Sequence, residues 1–159
     1  MEEELREMRH NLETLLAPLR DMEEFTQLKT ALEQGESPLE VVGGMDAQKA
    51  HMIYGLRRAK GVNLIVTYNE IRAKLLEDMA MYDRQAMYYP AKDLIFYSAD
   101  VHGQAIAKER LKVVKALSEQ KNLTVITTID AGMDHCFSFE KYEKQKIEIT
   151  PDKEFDLEQ

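Results

Sequence analysis

The chain has 159 residues, 44% hydrophobic and 31% charged, which is one domain's worth of chain with enough apolar content to bury a core. A formal net charge of −8 and a pI near 5.1 argue against a stand-alone nucleic-acid-binding module, which works through a basic face. Cys136 is the single cysteine, so no internal disulfide forms and the free thiol fits a reducing cytoplasm; the acidic start Met1-Glu2-Glu3-Glu4 lacks the apolar region of a secretory signal, and no run approaches the roughly 20 apolar residues of a membrane span.

In chain order, Leu5, Met8, Leu12, Leu15, Leu16 and Leu19 recur at spacings of three and four. This predicts an amphipathic helix that Pro18 kinks or ends. A second helix is expected over 22–34, with Phe25, Leu28 and Leu32 on one face and Gly35 as its stop, followed by a Glu36-Ser37-Pro38 loop. Leu39 to Val42 reads as a short strand, and Ala47 to Lys60 as a helix lined by Met52, Ile53, Leu56 and Ala59 and ended by Gly61. Val62 to Thr67 is a β-rich run for a buried strand, and Asn69 is placed to cap a helix carrying Ile71, Leu75, Leu76 and Met79.

Met87-Tyr88-Tyr89 is a further short strand closed by Pro90, and Leu94 to Tyr97 is a strand or extended segment. Residues 104–119 read as a helix with Ile106, Leu111, Val114 and Leu117 inward. Leu123 to Thr128 is a strong strand candidate, and a short helix is expected from Ala131 to His135. After Phe139 the chain turns highly charged, with only Ile147 and Ile149 alternating as a half-wet strand would. The alternation of strand and helix implies an α/β layer fold with a mostly parallel sheet. Three parts are expected: an N-terminal helix over 1–21, an α/β unit over 22–139, and a charged tail over 140–159 leading toward a following subdomain.

The stretch from Val41 to Ala50 resembles a phosphate-binding loop, G-x-x-x-x-G-K-[ST], with Gly43 as the first glycine and Lys49 as the lysine. Gln48 stands where the second glycine lets the backbone approach phosphate, and Ala50 where a hydroxyl would bind Mg²⁺. Asp46 adds negative charge where phosphate oxygens would sit. The expectation is a degenerate nucleotide site, Gly43, Gly44, Gln48, Lys49 and Ala50, that binds no cofactor. An ordinary Gly-Gly turn into a helix explains the same residues.

Other candidates are weaker. His10, His51, His102 and His135 are scattered, and His135-Cys136 has no second pair at metal spacing, so no metal site is expected. Asp100-Val101-His102-Gly103 is better read as a loop that turns at Gly103 and caps the next helix than as acid–base machinery. Glu109-Arg110 is read as a helix-surface or loop-tethering ion pair. No serine has a nucleophile-elbow setting. Tyr82, Tyr88, Tyr89 and Tyr97 have few basic neighbours, and packing at the sheet's edge is preferred to base stacking.

From about Thr26 onward the chain resembles the N-terminal segment of bacterial transcription-repair coupling factors, in their first RecA-like subdomain homologous to the excinuclease B protein. The residues that carry the resemblance are the degenerate loop Val42 to Ala50, Asn63 to Asn69 with the following helix, Tyr88-Tyr89-Pro90 through Asp100, Glu109-Arg110-Leu111, Val125 to Ala131, and Ile147-Glu148-Ile149. The resemblance implies a three-layer RecA-like domain with a P-loop NTPase-like layout and an inactive nucleotide site. It implies a parent that is an ATP-dependent DNA translocase acting with RNA polymerase, DNA and the excinuclease A protein, mostly through other domains. This chain is then a non-catalytic scaffold in transcription-coupled nucleotide excision repair. The alternatives are a divergent P-loop nucleotide-binding domain that still uses Lys49, and a stand-alone adaptor whose interaction surface is the helix from Glu2 to Leu19.

Overall fold

A computed structural model describes residues 13–57, 61–77, 86–92, 101–119, 122–135, 138–145 and 147. Helix α1 is described over 13–20. It is followed by α2 (Glu23–Glu33), α3 (Asp46–Leu56), β1 (Gly61–Thr67), α4 (Glu70–Glu77), β2 (Ala86–Tyr89), α5 (Val101–Glu119), β3 (Asn122–Thr128), α6 (Ile129–Met133) and α7 (Phe139–Gln145). The strands form an all-parallel sheet in the order β1-β3-β2. The protein is therefore α/β, with a small open sheet.

The order follows from the connections. The path from β1 to β2 passes over β3, and the path from β2 returns to it. Two right-handed crossovers running in opposite senses put α4 and α5 on opposite faces. β3 lies between them and is buried at every position but its first, with Leu123, Ile126 and Thr128 almost wholly enclosed. On the α5 face, Leu123, Val125, Tyr89, Val113, Val114 and Ala116 form one core, joined by Ala131 and by Tyr142 of α7. That core is what an apolar β-branched strand in the centre of a parallel sheet requires.

Several local signals act as the sequence suggests. Gly35 has φ 82°, its N–H reaches Leu32 O at 3.1 Å, and the Glu36 N–H reaches Ala31 O at 3.0 Å. This paired closure ends α2 through a residue without a Cβ. The Asn69 side chain accepts from the Arg72 N–H at 2.9 Å and caps α4. The Thr128 hydroxyl does the same for α6, accepting from the Ala131 N–H at 3.2 Å.

Other expectations are corrected. Leu39 to Val42 is not a strand: no described strand pairs with it, Val42 is 86% exposed, and β propensity without a ladder partner does not make a strand. β1 is an edge strand rather than a buried one, and Val62, Leu64 and Val66 are exposed. α3 ends at Leu56, and Gly61 opens β1 instead of closing the helix. Gly103 lies inside α5, which starts at Val101, so it is no turn before the helix. Along α5 the buried stripe is Arg110, Val113, Val114 and Ala116, while Leu111 is exposed. α6 begins two residues earlier than expected, directly after β3. The charged stretch after Phe139 forms α7, because Tyr142 gives it one side chain to bury against α5. Ile71 is exposed, while Ala73 of α4 is enclosed. Leu94 to Tyr97, residues 1–12 and the tail beyond Ile147 lie outside the described residues.

Candidate functional site

Gly43, Gly44, Gln48, Lys49 and Ala50 sit together at the start of α3. Gly43 and Gly44 have φ of 90° and 76°, a left-handed pair that turns the chain into the helix. The Gln48 side chain then bends back: its Oε1 accepts from the Met45 N–H at 2.8 Å. This is one half of a capping box, in which the third helical residue satisfies a donor that the helix itself leaves unpaired. In a phosphate loop that donor is what an anion would take. Here the glutamine in the place of the second glycine has taken it. Lys49 is exposed, while Ala50 is 5% exposed and turned inward. The loop follows an unpaired segment rather than the end of a sheet strand, so the strand–loop–helix setting of a phosphate loop is absent here.

Ligands of open parallel sheets bind outside the carboxyl ends of the strands. In this molecule that edge is held by Arg110, whose side chain is 8% exposed. Its Nη1 donates to the Pro90 carbonyl at 3.1 Å and to Asp134 Oδ2 at 3.0 Å, and its Nη2 to the His135 carbonyl at 3.2 Å. The guanidinium lies over the Tyr89 ring at 4.3 Å from its centre. Lys92 reaches the other Asp134 oxygen at 3.4 Å, and the His135 carbonyl at 3.5 Å. These contacts join the end of β2 to the loop after α6, across the top of β3.

Partial burial pushes the Asp134 carboxyl up. The His135 N–H at 2.8 Å, Lys92 and Arg110 together outweigh this and hold it below the usual carboxylate range. Arg110 thus acts as the loop-tethering residue. The Glu109 carboxylate points elsewhere, to Lys112. Tyr89 is packed rather than presented to bases, and Tyr82 and Tyr97 lie outside the described residues. The His51 Nε2–H donates to the Leu15 carbonyl, 2.7 Å away, and ties α3 to α1. Among the described residues no cluster of acidic, histidine or cysteine side chains could hold a metal ion.

Sequence reasoning missed a cleft of about 1070 Å³ between the α2–α3 pair and the sheet, lined among others by Lys29, Tyr54, Arg57, Asn63, Thr124 and Ile126. Residues so far apart in the chain give no local signal of meeting. Among the described residues no helix is long and apolar enough to cross a membrane. No family model, curated protein or solved structure matches the chain.

Proposed function

We propose that this chain is a non-catalytic, RecA-like scaffold module of a bacterial transcription-repair coupling factor. Its work is to hold the adjoining interaction subdomain in position. In that reading the parent acts in the cytoplasm as an ATP-driven DNA translocase with RNA polymerase and the excinuclease A protein, and its motor lies in other domains.

The observation that carries the non-catalytic part is the Gln48 bond to the Met45 N–H at 2.8 Å. A phosphate entering this loop must first displace a side chain that caps the helix, and it then finds no hydroxyl at Ala50 to place Mg²⁺. One contact supports the lineage: the aromatic-Pro end of β2 and the arginine of α5, both in segments that carry the resemblance, meet at Tyr89, Pro90 and Arg110.

Isothermal titration of the full chain with ATP and Mg²⁺ tests the reading, and no saturable heat is expected. Saturable Mg²⁺-dependent binding that Lys49→Ala abolishes, with the fold intact, would overturn it in favour of a divergent nucleotide-binding domain.

A further inference from the structure

We propose that Leu39 to Val42 is a strap that docks, in a second state of the chain, on the outer edge of β1 as a fourth parallel strand. In the structure described above the segment stands apart. Val41 and Val42 are 53% and 86% exposed, and Leu39 to Val42 makes no hydrogen bond to a described residue. An apolar, β-branched segment gains by exchanging water for a ladder when an open edge is in reach. The segment is also hinged. Gly35 precedes it and Gly43 and Gly44 follow it, all three at positive φ, and a carbon added at Gly35 or Gly43 would touch nothing within 4 Å.

The edge is in reach. Among the described residues β1 pairs only with β3. Four consecutive residues, Val62 to Ile65, line the cleft beside α2 and α3, so the cleft opens on the edge of the strand as well as on one of its faces. From Val42 the chain passes through the Gly43-Gly44 turn and α3 and then enters β1 at Gly61. A strand at Leu39 to Val42 therefore completes a β–α–β unit with α3 as its crossover helix. Because the strap is tethered by the Gly43-Gly44 turn and α3, its local concentration at the edge exceeds that of a separate chain, which selects it as the occupant.

Handedness agrees with this placement. Crossovers between parallel strands are right-handed in about 98% of cases. The step from β2 back to β3 carries α5 on one face of the sheet. A step from a strand outside β1 into β1 runs in the opposite sense, so its helix belongs on the opposite face. α3 is there: across the cleft it faces Asn63, Ile65, Thr124 and Ile126, which alternate with the Leu123 and Val125 that pack on the α5 side. A position of α3 on the α5 side would have ruled the strand out. Alternation then assigns the strap's faces. Glu40 carries the charge and takes the open side together with Val42, beside the exposed Leu64 and Val66, while Leu39 and Val41 turn into the cleft toward Ile53 and Leu56. Docking also carries the Gly43-Gly44 turn to the carboxyl end of the sheet, where open parallel sheets bind ligands. It needs only the topology of this chain and is independent of the lineage proposed above.

Disulfide trapping in the full chain, in a Cys136→Ser background, tests the proposal. Neighbouring strands lie about 4.8 Å apart, a spacing that a disulfide spans. On mild oxidation Val42→Cys should close an intramolecular disulfide with Leu64→Cys or with Val66→Cys, its neighbours on the open face. Val41→Cys should react with the same two partners about tenfold more slowly or less, because it faces the other way. Val41, Val42, Leu64 and Val66 are all exposed, so these variants should keep the circular dichroism of the parent. Failure of Val42→Cys to close with either partner would overturn the proposal, as would equal rates for Val41→Cys and Val42→Cys. A disulfide that joins two chains instead would overturn it as well and give the edge of β1 to a second molecule.

Discussion

Asp134 shows how one residue can bind loops that share no sequence neighbourhood. Its carboxylate sits between Arg110 and Lys92 and accepts the N–H of His135. Its pKa in the folded chain is lowered, so the folded state holds the proton less tightly than the unfolded chain does. The stabilisation from this group is therefore present above the ordinary carboxylate pKa and is lost as pH falls through the lowered folded value. Chemical denaturation followed from neutral to acid pH should show this loss, and Asp134→Asn should flatten that part of the acid limb. An unchanged acid limb in Asp134→Asn would mean that other carboxylates set the acid response. The sequence offered Glu109-Arg110 as a helix-surface or loop-tethering pair, and in the structure Arg110 tethers while Glu109 stays at the surface with Lys112. Which partners Arg110 takes, the Pro90 and His135 carbonyls, could not be read, since backbone acceptors leave no trace in residue type.

At the scale of elements, the packing of α3 depends on Gly55. A Cβ there would lie 2.8 Å from Phe25 Cζ and 2.9 Å from Leu19 Cδ1. Both neighbours are buried, at 4% and 5% exposure, so neither can swing away. Gly55→Ala gains about 1 kcal/mol of helix propensity. It incurs about 1–3 kcal/mol of overpacking, for a net loss of up to about 2 kcal/mol. Gly132→Ala in α6, with nothing within 4 Å of the added carbon, should be neutral or gain about 0.4–1 kcal/mol. Thermal unfolding of the two variants beside the parent checks the contrast, and equal effects would remove the close approach as the cause.

Gly55 also marks where the sequence stopped being legible. The helices α2 and α5 and the strands β1 and β3 follow from periodicity and β-branched runs, and the stop of α2 at Gly35 and the cap of α4 at Asn69 follow from residue type. Leu39 to Val42 has equally good strand composition, yet finds no ladder. Val62, Leu64 and Val66 look like a core strand, yet stand at an edge. In both cases the deciding term is which strands become neighbours, a long-range choice that local composition does not encode. The loop at Gly43 was legible as a damaged phosphate loop. The capping role of Gln48 was not, because a capping box normally announces itself by Ser or Thr at the N-cap, and here Met45 holds that place.

The whole molecule has two unequal packing centres. One is the sheet core around β3, closed by α5, α6 and α7. The other is the small corner where Leu19, Phe25 and Gly55 meet, linked to the first across the 1070 Å³ cleft and by the direct chain connection through Arg57. A contact network this uneven opens in parts, because each region's opening energy follows the apolar surface it buries. Native-state hydrogen exchange should therefore find the amides of β3 from Leu123 to Thr127 exchanging only through global unfolding. Those of α2 and α3 should exchange through a lower-energy opening that releases the helices from the sheet. Ile126→Ala removes a side chain that is 1% exposed and should cost about 2–5 kcal/mol. That loss should appear in full at the β3 amides. The α2 and α3 amides should be unaffected until the global opening energy drops to theirs. A single opening energy shared by β3, α2 and α3 would show instead that the cleft divides nothing and that the chain unfolds as one cooperative unit.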